Sequence, residues 1–262
     1  MLLRRAPLLL ALSITADARA NLRAPRVVPA LPSTAARTVS TALEVQHESL
    51  MFRCGPDECA VRAVYAVHAS AAERVQLRFV LPVAARVTAR FGSASGTLTL
   101  VEKPALSTDL PGNVQLDFFG KPAPPAYEAT VVGDVAAGES ELSFEYQQPL
   151  GARETNYGYF RGEGDMVQSF EYGLWPLREW KRAQGFALDF TATLQRPAPS
   201  LWQRWFGSVR EIACSFGDYP RPPPALPVRR TQRGDELWLQ ASVPLPSIPA
   251  TVRCRIGDDL DD

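Results

Sequence analysis

Period-two alternation, frequent proline breaks and one tightly spaced cysteine pair point to an all-β protein. The expected architecture is two β-sandwich-like domains of immunoglobulin-like size with a short helical insertion. The chain holds 23 Pro and 17 Gly among 262 residues. Proline therefore approaches twice its usual share of about 5%, which disfavours long helices and favours turns, edges and linkers.

The chain opens with Met1-Leu2-Leu3-Arg4-Arg5, an apolar run from Leu8 to Ile14 broken only by Ser13, and Ala18-Arg19-Ala20. A basic start, a short apolar core and a small-x-small site together read as a secretory signal peptide over residues 1–20. The run is too short for an uncleaved anchor, and no later run is long enough to span a bilayer. An exported, periplasmic or extracellular chain is the expectation, with oxidised cysteines. Residues 21–41, rich in Ala, Pro, Arg, Ser and Thr, read as a flexible N-terminal segment.

Alternation begins at Leu43. Cys54 and Cys59 flank Gly55-Pro56-Asp57-Glu58, a turn sequence, so the two cysteines are expected to face each other across a hairpin. Cys214 and Cys254 then remain to pair. The hairpin register sets Phe52 against Val61, Leu50 against Ala63 and Glu48 against Tyr65, all on one inward face. Leu43 and Val45, near the start of the first strand, fall on the wrong face in that register, which predicts a bulge there. Strands are expected at Val75–Leu81, Arg86–Phe91, Thr97–Val101, Val114–Phe118, Tyr127–Val132 and Leu142–Tyr146, filling a first domain over 42–150. A Trp on the third strand and a disulfide between sheets would mark a true immunoglobulin domain; neither signature is present.

A second, Trp-rich β domain is expected over 151–262, since all five tryptophans lie there; the alternative is a single continuous sandwich over both halves. Its expected strands are Val167–Leu174, Phe186–Leu194, Glu236–Val243 and Thr251–Ile256. Leu201, Trp202, Trp205 and Phe206 fall at helical spacing, giving a short helix over Ser200–Phe206. Pro220–Pro227 reads as an extended connector.

Lys+Arg and Asp+Glu both number 28, so nothing in the charge favours nucleic acid or an anionic membrane. Signatures of a serine nucleophile elbow, a phosphate loop or a zinc-protease helix are missing. Four cysteine sulfurs do not form two zinc knuckles, and His47 and His68, on one face of the hairpin, lack a third ligand. The terminal Asp258, Asp259, Asp261 and Asp262 lack calcium-loop spacing and read as a solvated tail. No cofactor or metal is expected.

What remains is aromatic surface. Trp202, Trp205, Tyr157 and Tyr159 are the candidate ligand-binding residues, because exposed rings stack on sugars or anchor protein partners. The expectation is a non-enzymatic binding or assembly module for an unknown protein or glycan partner. The alternatives are a secreted hydrolase using Glu163 and Asp165, which needs one carboxyl held protonated in an apolar site, and a structural envelope protein.

Overall fold

The computed structural model describes residues 27–28, 33–38, 40, 42–103, 126–155, 165–196, 210–217, 228–244, 248–258 and 260. The expected leader, the Val114–Phe118 strand, the Ser200–Phe206 helix and the Pro220–Pro227 connector lie outside these.

The strands in chain order begin with β1 (Val27–Val28), β2 (Ser33–Thr34), β3 (Arg37–Thr38), β4 (Leu43–Cys54), β5 (Glu58–Ala69) and β6 (Glu73–Leu81). There follow β7 (Thr88–Phe91), β8 (Ala94–Ser95), β9 (Thr97–Lys103), β10 (Ala126–Val135), β11 (Gly138–Pro149) and β12 (Gly151–Thr155). The last are β13 (Asp165–Gly173), β14 (Lys181–Gln195), β15 (Glu211–Gly217), β16 (Arg229–Arg233), β17 (Glu236–Pro244) and β18 (Thr251–Gly257). The protein is all-β, and one 3-10 turn, Trp175–Arg178, is the single helical element among the described residues. Pro176 near its start supplies a preset φ where no backbone donor is required.

Three sheets result. An eight-stranded sheet runs β16-β17-β14-β4-β5-β11-β7-β8, a four-stranded sheet runs β3-β6-β10-β9, and a six-stranded sheet runs β1-β12-β13-β18-β15 with β2 beside β13. The large sheet turns one face to the two smaller ones. Phe52 stacks on Phe170 of the six-stranded sheet at 4.5 Å, and Phe190 meets Phe216 edge-on at 5.1 Å. On the other side Phe79 of the four-stranded sheet packs on Phe144 at 5.2 Å. The alternating inward residues of β4 and β5 make the middle of this core: Leu50, Phe52, Val61, Ala63 and Val67 are all buried.

The first hairpin pairs as its residues dictate. Cys54 lies opposite Cys59, Phe52 opposite Val61 and Glu48 opposite Tyr65. The register slips between Val45 and His47, leaving Gln46 as the extra residue. That bulge returns Leu43 and Val45 to the inner face, and both are fully buried. Two glycines admit backbone turns that other residues resist: Gly92 ends β7 at φ 60° and Gly138 opens β11 at φ 97°.

The large sheet draws strands from both sides of residue 150. β14 lies parallel to β4, matching Leu188 to Glu48 and Leu194 to Cys54. The hydrogen-bonded ladder therefore crosses the 150/151 boundary drawn from the sequence. Strands β12, β15 and β16 had no separate expectation, and β8 lies in an expected turn. β1, β2 and β3 lie in the 21–41 segment expected to be flexible, where Ser33–Ala36 are instead buried because β13 and β6 offer them edges. β15 carries Cys214 opposite Cys254 on β18.

Candidate functional site

Both cysteine pairs are bonded. Cys54 and Cys59 close the β4–β5 hairpin with Cα atoms 4.0 Å apart, and Cys214 and Cys254 cross-link β15 to β18 at 4.1 Å. Directly opposed strand residues bring their Cα atoms within such reach.

Trp202, Trp205, Tyr157, Tyr159 and Glu163 lie outside the described residues. The strands that carry their segments are described, and they converge. Thr155 at the end of β12 pairs with Asp165 at the start of β13. Glu211 at the start of β15 pairs with Gly257 at the end of β18, while Gln168 of β13 pairs with Ile256. The end of β12 and the starts of β13 and β15 therefore lie at the same end of the six-stranded sheet. β14 ends just beyond Leu194, which lies opposite Cys54. The Gln168 amide donates to the carbonyl oxygen of Pro56 in the Cys54–Cys59 turn, and the Arg210 guanidinium donates to the Gln168 side chain. These contacts tie that end of the large sheet to the same end of the six-stranded sheet. Asp165 sits exposed at this end, its backbone oxygen accepting from the Thr155 hydroxyl at 3.2 Å.

The described tryptophans divide by environment. Trp180 is buried: its ring lies parallel to Tyr65 at 5.5 Å and its indole N–H donates to the Ala36 carbonyl at 2.8 Å. Trp238 is half-buried on β17, with the Arg233 guanidinium 4.5 Å from the ring centroid and the Glu236 carboxylate accepting its N–H at 3.1 Å. The two histidines lie on the outer face of the large sheet and take different partners. His47 Nε2 is 3.3 Å from Asp189, and His68 Nδ1 is 3.3 Å from Glu139. Among the described residues no three His, Cys, Asp or Glu side chains gather as a metal site would require.

One polar cluster was not among the candidate sites expected from the sequence, although the expected hairpin register had set Glu48 against Tyr65. Glu48 is fully buried on the inner face of β4, opposite Tyr65. Burial pushes its carboxyl up to about 8, against a smaller downward pull from the Tyr65 hydroxyl. Neither carboxylate oxygen has a hydrogen bond of full geometry, nor does the Tyr146 hydroxyl nearby. The proximity of Tyr65 thus favours the charged form without satisfying it. Burial, with the Glu48 charge adding to it, raises the hydroxyls of Tyr65, Tyr146 and Tyr172 above the ordinary tyrosine range. Beside them the Ser33 hydroxyl donates to Gln148 at 2.7 Å, and the Gln148 amide donates to the Glu171 carbonyl at 3.2 Å. The signal available in the sequence was a single acid within an otherwise apolar inward row.

Among the described residues no helix is long and apolar enough to cross a membrane. No family model matches the chain, and no curated protein matches it in sequence. One similar solved structure is the crystal structure of a proposed nutrient-binding protein from Legionella pneumophila. It shares 9% identity and a TM-score of 0.49, over 87% of this chain and 72% of that one.

Proposed function

We propose that this protein is exported and serves as a non-enzymatic binding or assembly module. It recognises a protein or glycan partner through aromatic residues gathered at one end of its sheets. The observation that carries this reading is the convergence of strand ends. Segments 156–164 and 197–209 are distant in sequence, yet Thr155, Asp165 and Glu211, which flank them, lie at the same end of the six-stranded sheet. Tyr157, Tyr159, Trp202 and Trp205 belong to these two segments. Aromatic rings presented together offer wide apolar faces and polar edges to a sugar or to a partner's side chains. Cross-links at Cys54–Cys59 and Cys214–Cys254 support export, since such bonds persist in oxidising compartments.

The test pairs binding with stability. Wild type and the variants Trp202→Ala, Trp205→Ala and Tyr157→Ala are applied to a glycan array and to immobilised proteins of the native secretome. The expected result is loss of capture at least tenfold with an unchanged melting temperature. A melting temperature lowered by several degrees in every variant makes these rings core residues and removes the reading. Mass spectrometry of the native protein tests export: the expected N-terminus is Asn21, with all four cysteines oxidised.

A further inference from the structure

Residues Ser33–Thr38 cross between the two smaller sheets as a buried strap. At one end β2 lies parallel to β13, with Ser33 opposite Tyr172 and Thr34 opposite Gly173. At the other end β3 pairs with β6, Arg37 opposite Arg78 and Thr38 opposite Leu77. Ser33, Thr34, Ala35 and Ala36 between them are at most 3% exposed. Side chains pin the crossing. The Tyr65 hydroxyl accepts from the Ala36 N–H at 3.1 Å, Trp180 donates to the Ala36 carbonyl at 2.8 Å, and the Thr34 hydroxyl accepts from the Val80 N–H at 2.9 Å. The Ala35 N–H adds a bond to the Gly173 carbonyl at 2.8 Å.

The same Tyr65 faces Glu48. A buried carboxylate whose oxygens lack full hydrogen bonds is tolerated as the neutral acid and strongly disfavoured as the anion. The titratable groups that face it are Tyr65 from β5, Tyr146 from β11 and Tyr172 from β13. From β14 the opposite residue is the apolar Leu188. None of these supplies a positive charge. An ionised Glu48 is therefore stabilised by admitting water. The long ladders of β4, β5 and β14 resist opening, whereas β2 and β3 are two residues each.

We propose that the Ser33–Thr38 strap is a proton-dependent latch: it closes over a protonated Glu48 and opens with release of that proton to water. The Tyr65 hydroxyl couples the two, touching the acid on one side and the strap backbone on the other. The open form ionises like an ordinary exposed glutamate. Opening is therefore favoured about tenfold per pH unit from near the ordinary glutamate range until the closed form itself ionises, and levels off above that.

Hydrogen exchange of the oxidised full chain, followed by mass spectrometry and corrected for base-catalysed intrinsic rates, tests the latch. Peptides spanning 33–38 are expected to lose protection about tenfold per pH unit between pH 5.5 and 8, relative to peptides from 61–67 in β5. The Glu48→Gln variant is expected to hold the strap's protection constant over that range. Glu48→Leu serves the same arm if the glutamine variant does not fold. Tyr65→Phe, which removes the coupling hydroxyl, is expected to lower the strap's protection at every pH and abolish its slope. The latch is overturned if the wild-type ratio is flat with pH, if both segments lose protection in parallel, or if a Glu48 variant keeps the wild-type slope.

Discussion

Glu48 and Tyr65 stand opposite each other across the β4–β5 ladder, both fully buried between the sheets. The pair places a carboxyl and a phenol where the surrounding rows are apolar. Phe52 and Leu50 continue the row on β4, and Val61 and Ala63 continue it on β5.

This pairing sets a pH dependence of global stability. The folded chain holds the Glu48 proton up to about 8, whereas an exposed glutamate of the unfolded chain releases it near 4.5. Folding therefore takes up a proton between those limits. Stability from this group is complete below about 4.5 and declines as pH rises through about 8, by about 1.4 kcal/mol per pH unit at most. Other carboxylates cancel when wild type is compared with Glu48→Gln. In urea denaturation at pH 5, 6.5, 8 and 9, the variant is expected to gain on wild type up to pH 8, then hold a constant lead. A difference that does not vary between pH 5 and 8 would contradict a neutral buried Glu48.

Gly133 on β10 lies beneath the Phe91 ring of β7, and a Cβ there would overlap the ring carbons. Gly96 meets the same ring: a Cβ added there would fall 2.6 Å from Phe91 Cε2 and from Val131 Cγ1. The glycines thus let the four-stranded sheet close onto the edge of the large one. Gly133→Ala is expected to cost about 1–3 kcal/mol from overpacking. Combined with Phe91→Leu, the cost is expected to be less than the sum of the two single changes. Additive costs in a double-mutant cycle would show that the ring and the glycine do not compete for space.

The first hairpin was legible because every cue in it is local. The turn residues, the cysteines and the face on which Leu43 and Val45 must lie together dictated the bulge that the structure has at Gln46. The parallel pairing of β14 with β4 was not legible, since no turn joins the two strands and alternation names no partner. That pairing carries the large sheet across residue 150. β16, Arg229–Arg233, lacks alternation altogether; it is a strand because β17 offers it an edge. At the candidate site, the aromatic residues were visible as composition, but that the strands flanking their segments end on the same side depends on which strands pair. Glu48 was already opposite Tyr65 in the sequence register. A single acid in an apolar row reads as ordinary variation until the covering sheet is known.

The two disulfides are expected to differ in worth. Cys54–Cys59 spans 5 positions and Cys214–Cys254 spans 40. Restricting the unfolded chain is worth about 2 kcal/mol for the short loop and about 4 for the long one. Replacing each pair by alanine and measuring urea midpoints is expected to show the larger loss for Cys214–Cys254. Equal losses would mean that native packing around the sulfurs outweighs loop entropy.

Trp180 gives the strap its second anchor and separates ring packing from hydrogen bonding. Its ring lies on Tyr65, and its N–H holds the Ala36 carbonyl in a site where Ala36 is 2% exposed. Trp180→Phe keeps an aromatic face on Tyr65 but leaves that carbonyl without its indole donor. The loss is expected to be about 1–3 kcal/mol, the cost of an orphaned buried acceptor together with the smaller ring. Trp180→Ala removes the stack as well and is expected to cost about 3–5 kcal/mol. Chemical denaturation of both variants checks the order. If Trp180→Phe is as damaging as Trp180→Ala, the indole N–H rather than the ring area holds the strap, and the packing of Tyr65 contributes little.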